Sequence, residues 1–233
     1  MSKALTLISS MATRHLLNDL VAAHARAGGL TARIESTGGV EAAKRVQQGE
    51  PFDLVVLASE AIVKLEEDGC LRPGSIRPLV DSSVAIAVRA GADQPDVSTE
   101  MALQRAIVQA RTIGYSTGPS GTALLKIISR WGRLDSLKSR LVQARPGVPV
   151  GSLVASGEVE IGFQQLSELK GMPDIVLLGG LPPGLAIVTR FSGAVISSST
   201  QPEAAQSLLD FMTSPSTTEL KKEHGMEAVP IWH

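Results

Sequence analysis

The chain has one cysteine, Cys70, among its 233 residues, so no internal disulfide can close, and zinc sites built from two or more cysteines are excluded by count. A lone thiol of this kind is expected to behave as a small, partly buried apolar side chain. Aromatic residues make up only 3% of the sequence, which leaves few platforms for stacking bases, sugars or flat rings. A small polar ligand suits that composition better. An excess of one charge is also missing: 22 Lys and Arg stand against 23 Asp and Glu, for a formal net charge of −1. That balance lacks the basic footprint that nucleic acid or an anionic membrane surface requires. There is no run of about eighteen apolar residues, so direct membrane insertion is not expected. The opening Met1-Ser-Lys-Ala-Leu-Thr-Leu-Ile-Ser-Ser has neither the long apolar core nor the cleavage site of a secretory signal. The expectation is a cytoplasmic protein for the chain as written, and a periplasmic one if a leader has been removed from it.

Several chemical signatures are missing too. No dinucleotide fingerprint is present at either glycine-rich turn, Thr37-Gly-Gly or Gly118-Pro-Ser-Gly, and no Gly-Lys-Ser/Thr ends a phosphate loop. There is no Gly-x-Ser-x-Gly elbow and no His-Glu-x-x-His. Nucleotide binding, serine hydrolysis and zinc proteolysis are therefore disfavoured, and no metal or cofactor is expected.

What the sequence does have is 43% hydrophobic residues, enough for one large domain or two small lobes, arranged as alternating strand and helix patterns. Ala4 to Ile8 reads as a strand, and Ala12 to Ala27 carries Leu16, Leu17, Leu20, Val21 and Ala23 at helical spacing. Ala32 to Ser36 and then Val40 to Gln48 repeat the unit, the helix stopping at Gly49. Asp53-Leu-Val-Val-Leu-Ala58 is a continuous apolar run of the kind buried on both faces of a parallel sheet, followed by a helix from Glu60 to Asp68. Three βα units in succession predict a doubly wound α/β layer. Further along, Ser83 to Arg89, Thr112 to Tyr115, Ile161 to Gln164, Ile175 to Leu178 and Ala186 to Ile196 read as strands. Helices are predicted over Met101 to Ala110, Ala123 to Gly132, Val150 to Ser156, Pro202 to Thr213 and Thr217 to His224, with a helical turn at Ser167 to Lys170.

Three joins between strand and helix have the chemistry to hold an anion: Ser9-Ser10-Met11, Ser36-Thr37-Gly38-Gly39 and Gly118-Pro119-Ser120-Gly121-Thr122. Free N–H groups and the positive dipole end meet at a helix N-terminus, and hydroxyls add donors without adding charge. Open α/β sheets bind ligands beyond the carboxyl ends of their strands, where such loops converge. Ordinary helix capping accounts equally well for any one of them, and only their recurrence favours a ligand.

At these loops the sequence resembles the molybdate-binding-protein-like family of type II periplasmic solute-binding proteins. The resemblance runs over nearly the whole chain: Ser-Ser-Met-Ala after the first strand, Ser-Thr-Gly-Gly after the second, and Gln48-Gly-Glu-Pro-Phe-Asp-Leu-Val-Val-Leu-Ala58. Gly118-Pro-Ser-Gly-Thr122 stands for the family's Pro-Ala-Gly loop, and Ser156-Gly-Glu-Val-Glu-Ile-Gly162 resembles the phrase before its last ligand-binding strand. The resemblance implies two doubly wound α/β lobes joined by two crossover strands, near residues 83–88 and 188–194, with an anion in the cleft. Lobe 1 would comprise residues 1–84 and 194–233, and lobe 2 residues 85–193. The ligand-binding residues it implies are Ser10 with Met11, Thr37 with Gly38, the backbone near Ser120 and Gly121, and the backbone near Val150. The family's tyrosine donor falls on Gln165, which departs from the pattern but keeps an amide donor. Arg14, in the first turn of the first helix, and Arg145, before Pro146-Gly-Val-Pro149, point toward a carboxylate, since guanidinium forks match that planar group.

Two functions follow from the resemblance. One is a substrate-binding protein that hands a small anion to the membrane components of an ABC transporter, if the chain is exported. The other arises because Ser-Met-Ala-Thr-Arg14 and Ile-Gly-Phe-Gln-Gln-Leu-Ser-Glu168 are also similar to a subgroup that includes an aconitate isomerase. Such an enzyme moves the double bond of a tricarboxylate by abstracting and returning a proton, which needs a base beside an activated carbon. His15, Glu35 and Glu60 are the candidates, all close in sequence to the loops.

Overall fold

The computed structural model describes residues 4–229. Its first elements are β1 (Leu5–Ser10), α1 (Arg14–Arg26), β2 (Ala32–Thr37), α2 (Gly39–Gln47), β3 (Leu54–Ala58), α3 (Ser59–Glu67) and β4 (Arg77–Arg89). Next come α4 (Glu100–Gln109), β5 (Ile113–Tyr115), α5 (Pro119–Arg130), α6 (Leu134–Leu137), β6 (Leu141–Gln143), α7 (Val150–Ser156), β7 (Ile161–Gln165), α8 (Leu166–Leu169) and β8 (Ile175–Gly180). The last are β9 (Val188–Val195), α9 (Pro202–Thr213), α10 (Thr218–Glu223) and β10 (Met226–Ala228). The chain divides into two compact units, one of the described residues up to Ser82 together with those from Arg190 onward, the other Ser83–Thr189. It passes from one unit to the other inside β4 and again inside β9.

In the first unit, β1 runs parallel to β2 on one side and to β3 on the other, and β9 pairs antiparallel with β3. The β1–β2 register sets Ser10 opposite Thr37, so both strands reach the same carboxyl edge together. Side chains alternate across this sheet as a period of two requires. Leu54 and Val56 of β3 pack with Leu16, Leu20, Leu208 and Met212 on one face, while Val55 and Leu57 pack with Ala42, Val46, Ile62 and Leu65 on the other. The uninterrupted apolar run of β3 is explained by helices on both sides of it.

The second unit repeats the plan. β7 pairs antiparallel with β4 and parallel with β5, β5 is parallel to β6, and β8 pairs antiparallel with β4. Val84, Ile86 and Val88 face the cluster built on α4 and α5, whereas Ala85 and Ala87 face α7. Small residues on that second face let the helix approach closely. A Cβ at Gly162 would lie 2.5 Å from a methyl of Val154 and 3.0 Å from one of Val150, so α7 rests on bare backbone.

The structure departs from the sequence expectations at a few boundaries. The helix expected from Ala123 starts at Pro119, because proline at the first helical position gives up an N–H that has no intrahelical partner anyway. β4 begins at Arg77 rather than Ser83, extended by pairing with β10, in which Met226 lies opposite Ser82. Pro78, Asp81 and Ser82 carry no local strand signal; a tertiary partner holds them extended. α6, β6 and β10 are too short to produce a readable period.

Lys221, in α10, is only 1% exposed and has no ion pair among the described residues. Burial lowers its pKa from 10.5 to about 8. Between those two values the unfolded chain holds a proton that the folded chain does not. Stability therefore rises with pH through that window, and the cost of the buried charge is fully present below it. Lys221→Met is expected to stabilise the protein near pH 7 by on the order of 2 to 3 kcal/mol and to lose most of that advantage by pH 10. Urea unfolding of both proteins at the two pH values checks this; an advantage that does not change with pH would mean that the amine is solvated.

Candidate functional site

At the carboxyl edge of the first unit's sheet, Ser10 ends β1 and Thr37 ends β2 beside it. Met11 opens a turn of 3-10 helix that leads into α1, and Gly38, in extended conformation, precedes α2. The first residue of α2 lies close against β1: a Cβ on Gly39 would sit 3.9 Å from that of Ser10. Ser10 is buried, yet its Oγ has no hydrogen-bond partner among the described residues. Its neighbour Ser9 is satisfied, sharing a 2.9 Å hydrogen bond with the Ser36 hydroxyl. Ser59, the first residue of α3, shares one of 2.7 Å with Ser192.

Simple capping does not account for these hydroxyls. No side chain caps α1, α2, α3, α5 or α7. By contrast, the Thr99 hydroxyl accepts from Ala102 N–H at the start of α4, in the usual way. Side chains thus leave the first N–H groups of these helices uncapped, although at α1 the preceding 3-10 turn takes the Arg14 N–H on the Met11 carbonyl.

In the second unit, Ser120 is buried in the first turn of α5, and its Oγ lies 2.9 Å from that of Ser116. Gly121 is sterically required, since a Cβ there would fall 1.9 Å from the Ser116 carbonyl oxygen. Val150 begins α7 fully buried. The backbone around it offers less than expected: Gly151 N–H donates to Gln164 Oε1 at 3.2 Å and Ser152 N–H to the Pro149 carbonyl at 3.1 Å. Gln165 ends β7 buried, with its Nε2 donating to Thr189 Oγ1 at 2.8 Å and its Oε1 unpartnered among the described residues.

Arg14 and Arg145 are both exposed, and neither forms an ion pair among the described residues. Of the base candidates, His15 lies exposed on α1 and Glu60 exposed in the first turn of α3. Glu35 is engaged: Arg45 donates to its Oε2 at 3.0 Å, and Arg33 lies 3.6 Å from its Oε1. Arg45 also donates to both carboxylate oxygens of Glu50.

Glu168 was not singled out by the sequence. It lies in α8, half-buried, and its Oε1 accepts from Gln164 Nε2 at 2.8 Å. Burial raises its pKa from 4.5 to about 7 against the opposing effect of that hydrogen bond. The available signal was the spacing of four between Gln164 and Glu168, across the join of strand and helical turn.

Residues 5–227 match the model of the family described as bacterial extracellular solute-binding protein. The chain belongs to that family. It is 36% identical over 233 residues to an aconitate isomerase from a Pseudomonas species, covering 97% of this chain and 88% of that protein. It is also 28% identical over 197 residues to the molybdate-binding protein ModA of Azotobacter vinelandii, covering 81% and 75% of the two chains. Among solved structures, the periplasmic molybdate-binding protein of Azotobacter vinelandii superposes with a TM-score of 0.80 at 21% identity, over 97% of this chain and all of that one. The fold is that of the type II periplasmic binding proteins, as the resemblance implied. No helix among the described residues is long and apolar enough to cross a membrane.

The contrast between two glycines of the α5 loop provides a test. Gly121→Ala forces the Ser116 carbonyl to move and is expected to destabilise the protein by about 2 kcal/mol or more. Gly118→Ala meets nothing within 4 Å and has an ordinary φ of −85°, so it should stay near wild type. Denaturant midpoints of the two variants decide this; equal midpoints would show that the loop is free to relax.

Proposed function

We propose that this solute-binding protein holds a small carboxylate anion, with contacts supplied by its strand-to-helix joins. The observation that carries the reading is Ser10, whose buried hydroxyl lacks a partner beside helix starts that no side chain caps. An unsatisfied buried hydroxyl costs stability, and an incoming anion would remove that cost by accepting from it. Gln165 fits the same role. The Thr189 hydroxyl can donate as well as accept, so turning the amide over satisfies Oε1 and frees Nε2 to meet an anion. Arg14 and Arg145, both without ion-pair partners among the described residues, favour a carboxylate over a tetrahedral oxyanion. In this role the protein hands its ligand to the membrane components of an ABC transporter.

A second reading is supported by one specific observation, the 36% identity to an aconitate isomerase over 97% of the chain. On the same fold, an isomerase of an aconitate-like polycarboxylate would take a proton from one carbon and return one to another, shifting the double bond. Heavy water separates the two functions. Incubation with cis- or trans-aconitate should yield the other isomer carrying deuterium if the chain is an isomerase, and neither isomer nor label if it only binds.

Ser10→Ala tests the anion site under both readings. Without ligand the variant should be as stable as wild type or slightly more so, because it removes an unpaired hydroxyl. Affinity for the anion should fall by about 1.5 to 3 kcal/mol, roughly ten- to a hundredfold. A thermal-shift panel of molybdate, sulfate, phosphate and di- and tricarboxylates identifies the ligand class. Saturation to about 100 times the dissociation constant adds roughly 2.7 kcal/mol, and carboxylates should outperform molybdate. A panel without any shift would refute anion binding.

A further inference from the structure

Gln165 and Thr189 are buried polar residues of the second unit, 4% and 7% exposed, in positions that packing alone would fill with apolar side chains. On β7, Ile161 and Phe163 belong to the cluster built on α4 and α5, and the strand period of two puts Gln165 on the same face. A third apolar residue would complete that row. Glutamine instead leaves its Oε1 buried without a partner among the described residues. Its Nε2 reaches Thr189 Oγ1 at 2.8 Å, although β4 lies between β7 and β9 in the sheet. Val84 of β4 stands opposite Gln165 and donates its N–H to the Ile187 carbonyl at 2.9 Å. The amide thus crosses a neighbouring strand to meet the hydroxyl.

Gln165 also ends its strand at the carboxyl edge. The parallel neighbour β5 finishes at Tyr115, opposite Phe163, so at the level of Gln165 that chain has already left the sheet for the α5 join. Helix α5 runs twelve residues from Pro119, no side chain caps it, and Ser120 is buried in its first turn. A buried, unpartnered amide oxygen next to a strand that leads into an uncapped helix calls for a ligand at this end of the amide.

We propose that Thr189 is a positioning residue of the anion site, holding the Gln165 amide by its oxygen so that the nitrogen faces the ligand. The inference rests on the reading that Gln165 meets the anion. With Nε2 on the hydroxyl, the end left over is a carbonyl oxygen, which repels a negative charge. A half turn of the amide lets the hydroxyl donate to Oε1 and leaves both hydrogens of Nε2 for the anion. The hydroxyl serves in either arrangement because it carries one hydrogen and two lone pairs. An acceptor in its place would lock the nitrogen inward, and a cation would add a charge of its own. Thr189 acts only through Gln165, and valine matches its branched shape without the hydroxyl.

A double-mutant cycle on affinity tests this, with trans-aconitate, citrate and sulfate titrated calorimetrically and the tightest-binding probe carried through. Thr189→Val should weaken binding roughly threefold to tenfold, the effect of one lost hydrogen bond, and Thr189→Ser should restore most of it. Gln165→Leu should weaken binding by itself. In that background Thr189→Val should cause no further loss, because the group it positions is gone. Gln165→Met repeats the comparison should the leucine variant fold poorly, which ligand-free thermal midpoints reveal. Full affinity in Thr189→Val, a loss that Thr189→Ser does not restore, or the same loss with and without Gln165→Leu would overturn the role of Thr189. Wild-type affinity in Gln165→Leu would overturn it as well, and each of these results leaves anion binding intact. Failure of all three probes to bind wild type would remove the anion reading and this proposal with it.

Discussion

The first backbone N–H groups of every α-helix have no partner within the helix, and what satisfies them decides whether a helix start is structural or available. At α4 the Thr99 hydroxyl satisfies one, and the start is closed. At α1, α2, α3 and α5, hydroxyl residues are close in sequence, but none caps the helix. Placing these starts at the carboxyl edges of parallel strands fixes their direction, because a right-handed βα connection brings the helix N-terminus to that edge. The choice of Ser and Thr there, rather than Lys or Arg, lets the donors stay close together without mutual repulsion.

Leaving a buried hydroxyl such as that of Ser10 without a partner costs stability, and the rest of the unit has to compensate. In the first unit this comes from a sheet covered on both faces, with Val55 and Leu57 buried as completely as Leu54 and Val56. Burying one such side chain contributes about 1.5 to 3 kcal/mol, comparable to the cost of one unpaired buried hydroxyl. The second unit reaches the same result by a different route. Its glycine and alanine strand positions bring α7 close, and Val150 and Val154 fill the space that larger residues would have taken.

Much of this was legible in the sequence. The continuous run Leu54-Val-Val-Leu57 announced a strand buried on both faces, and the Ser-Met, Thr-Gly and Pro-Ser-Gly joins marked the passages from strand to helix, though the last is already inside α5. The extension of β4 back to Arg77 was not legible, since its pairing partner β10 lies more than 140 residues away in sequence. Nor was the state of Glu35. Arg33 stands two residues before it, but Arg45, which bonds it more closely, comes from the following helix. Glu168 escaped notice for the opposite reason. Nothing about a glutamate after Leu-Ser marks it, and only the packed structure shows that it is half-buried with an amide as its hydrogen-bond partner.

Binding and isomerisation place different demands on the same donors. A binder needs the anion's charge to be met equally in the free ligand and in the complex. An isomerase needs donors that strengthen as charge spreads from a broken C–H bond onto a carboxylate, together with a base whose pKa allows the proton to leave and return. Uncapped helix starts serve either purpose. The residue that distinguishes the two is therefore not among the donors. It has to be a group that accepts a proton near neutral pH while remaining close to them. His15 and Glu60 are exposed, and the Glu35 carboxylate is bonded by Arg45 and faces Arg33. Glu168 is half-buried and hydrogen-bonded to the Gln164 amide, and burial raises its pKa to about 7.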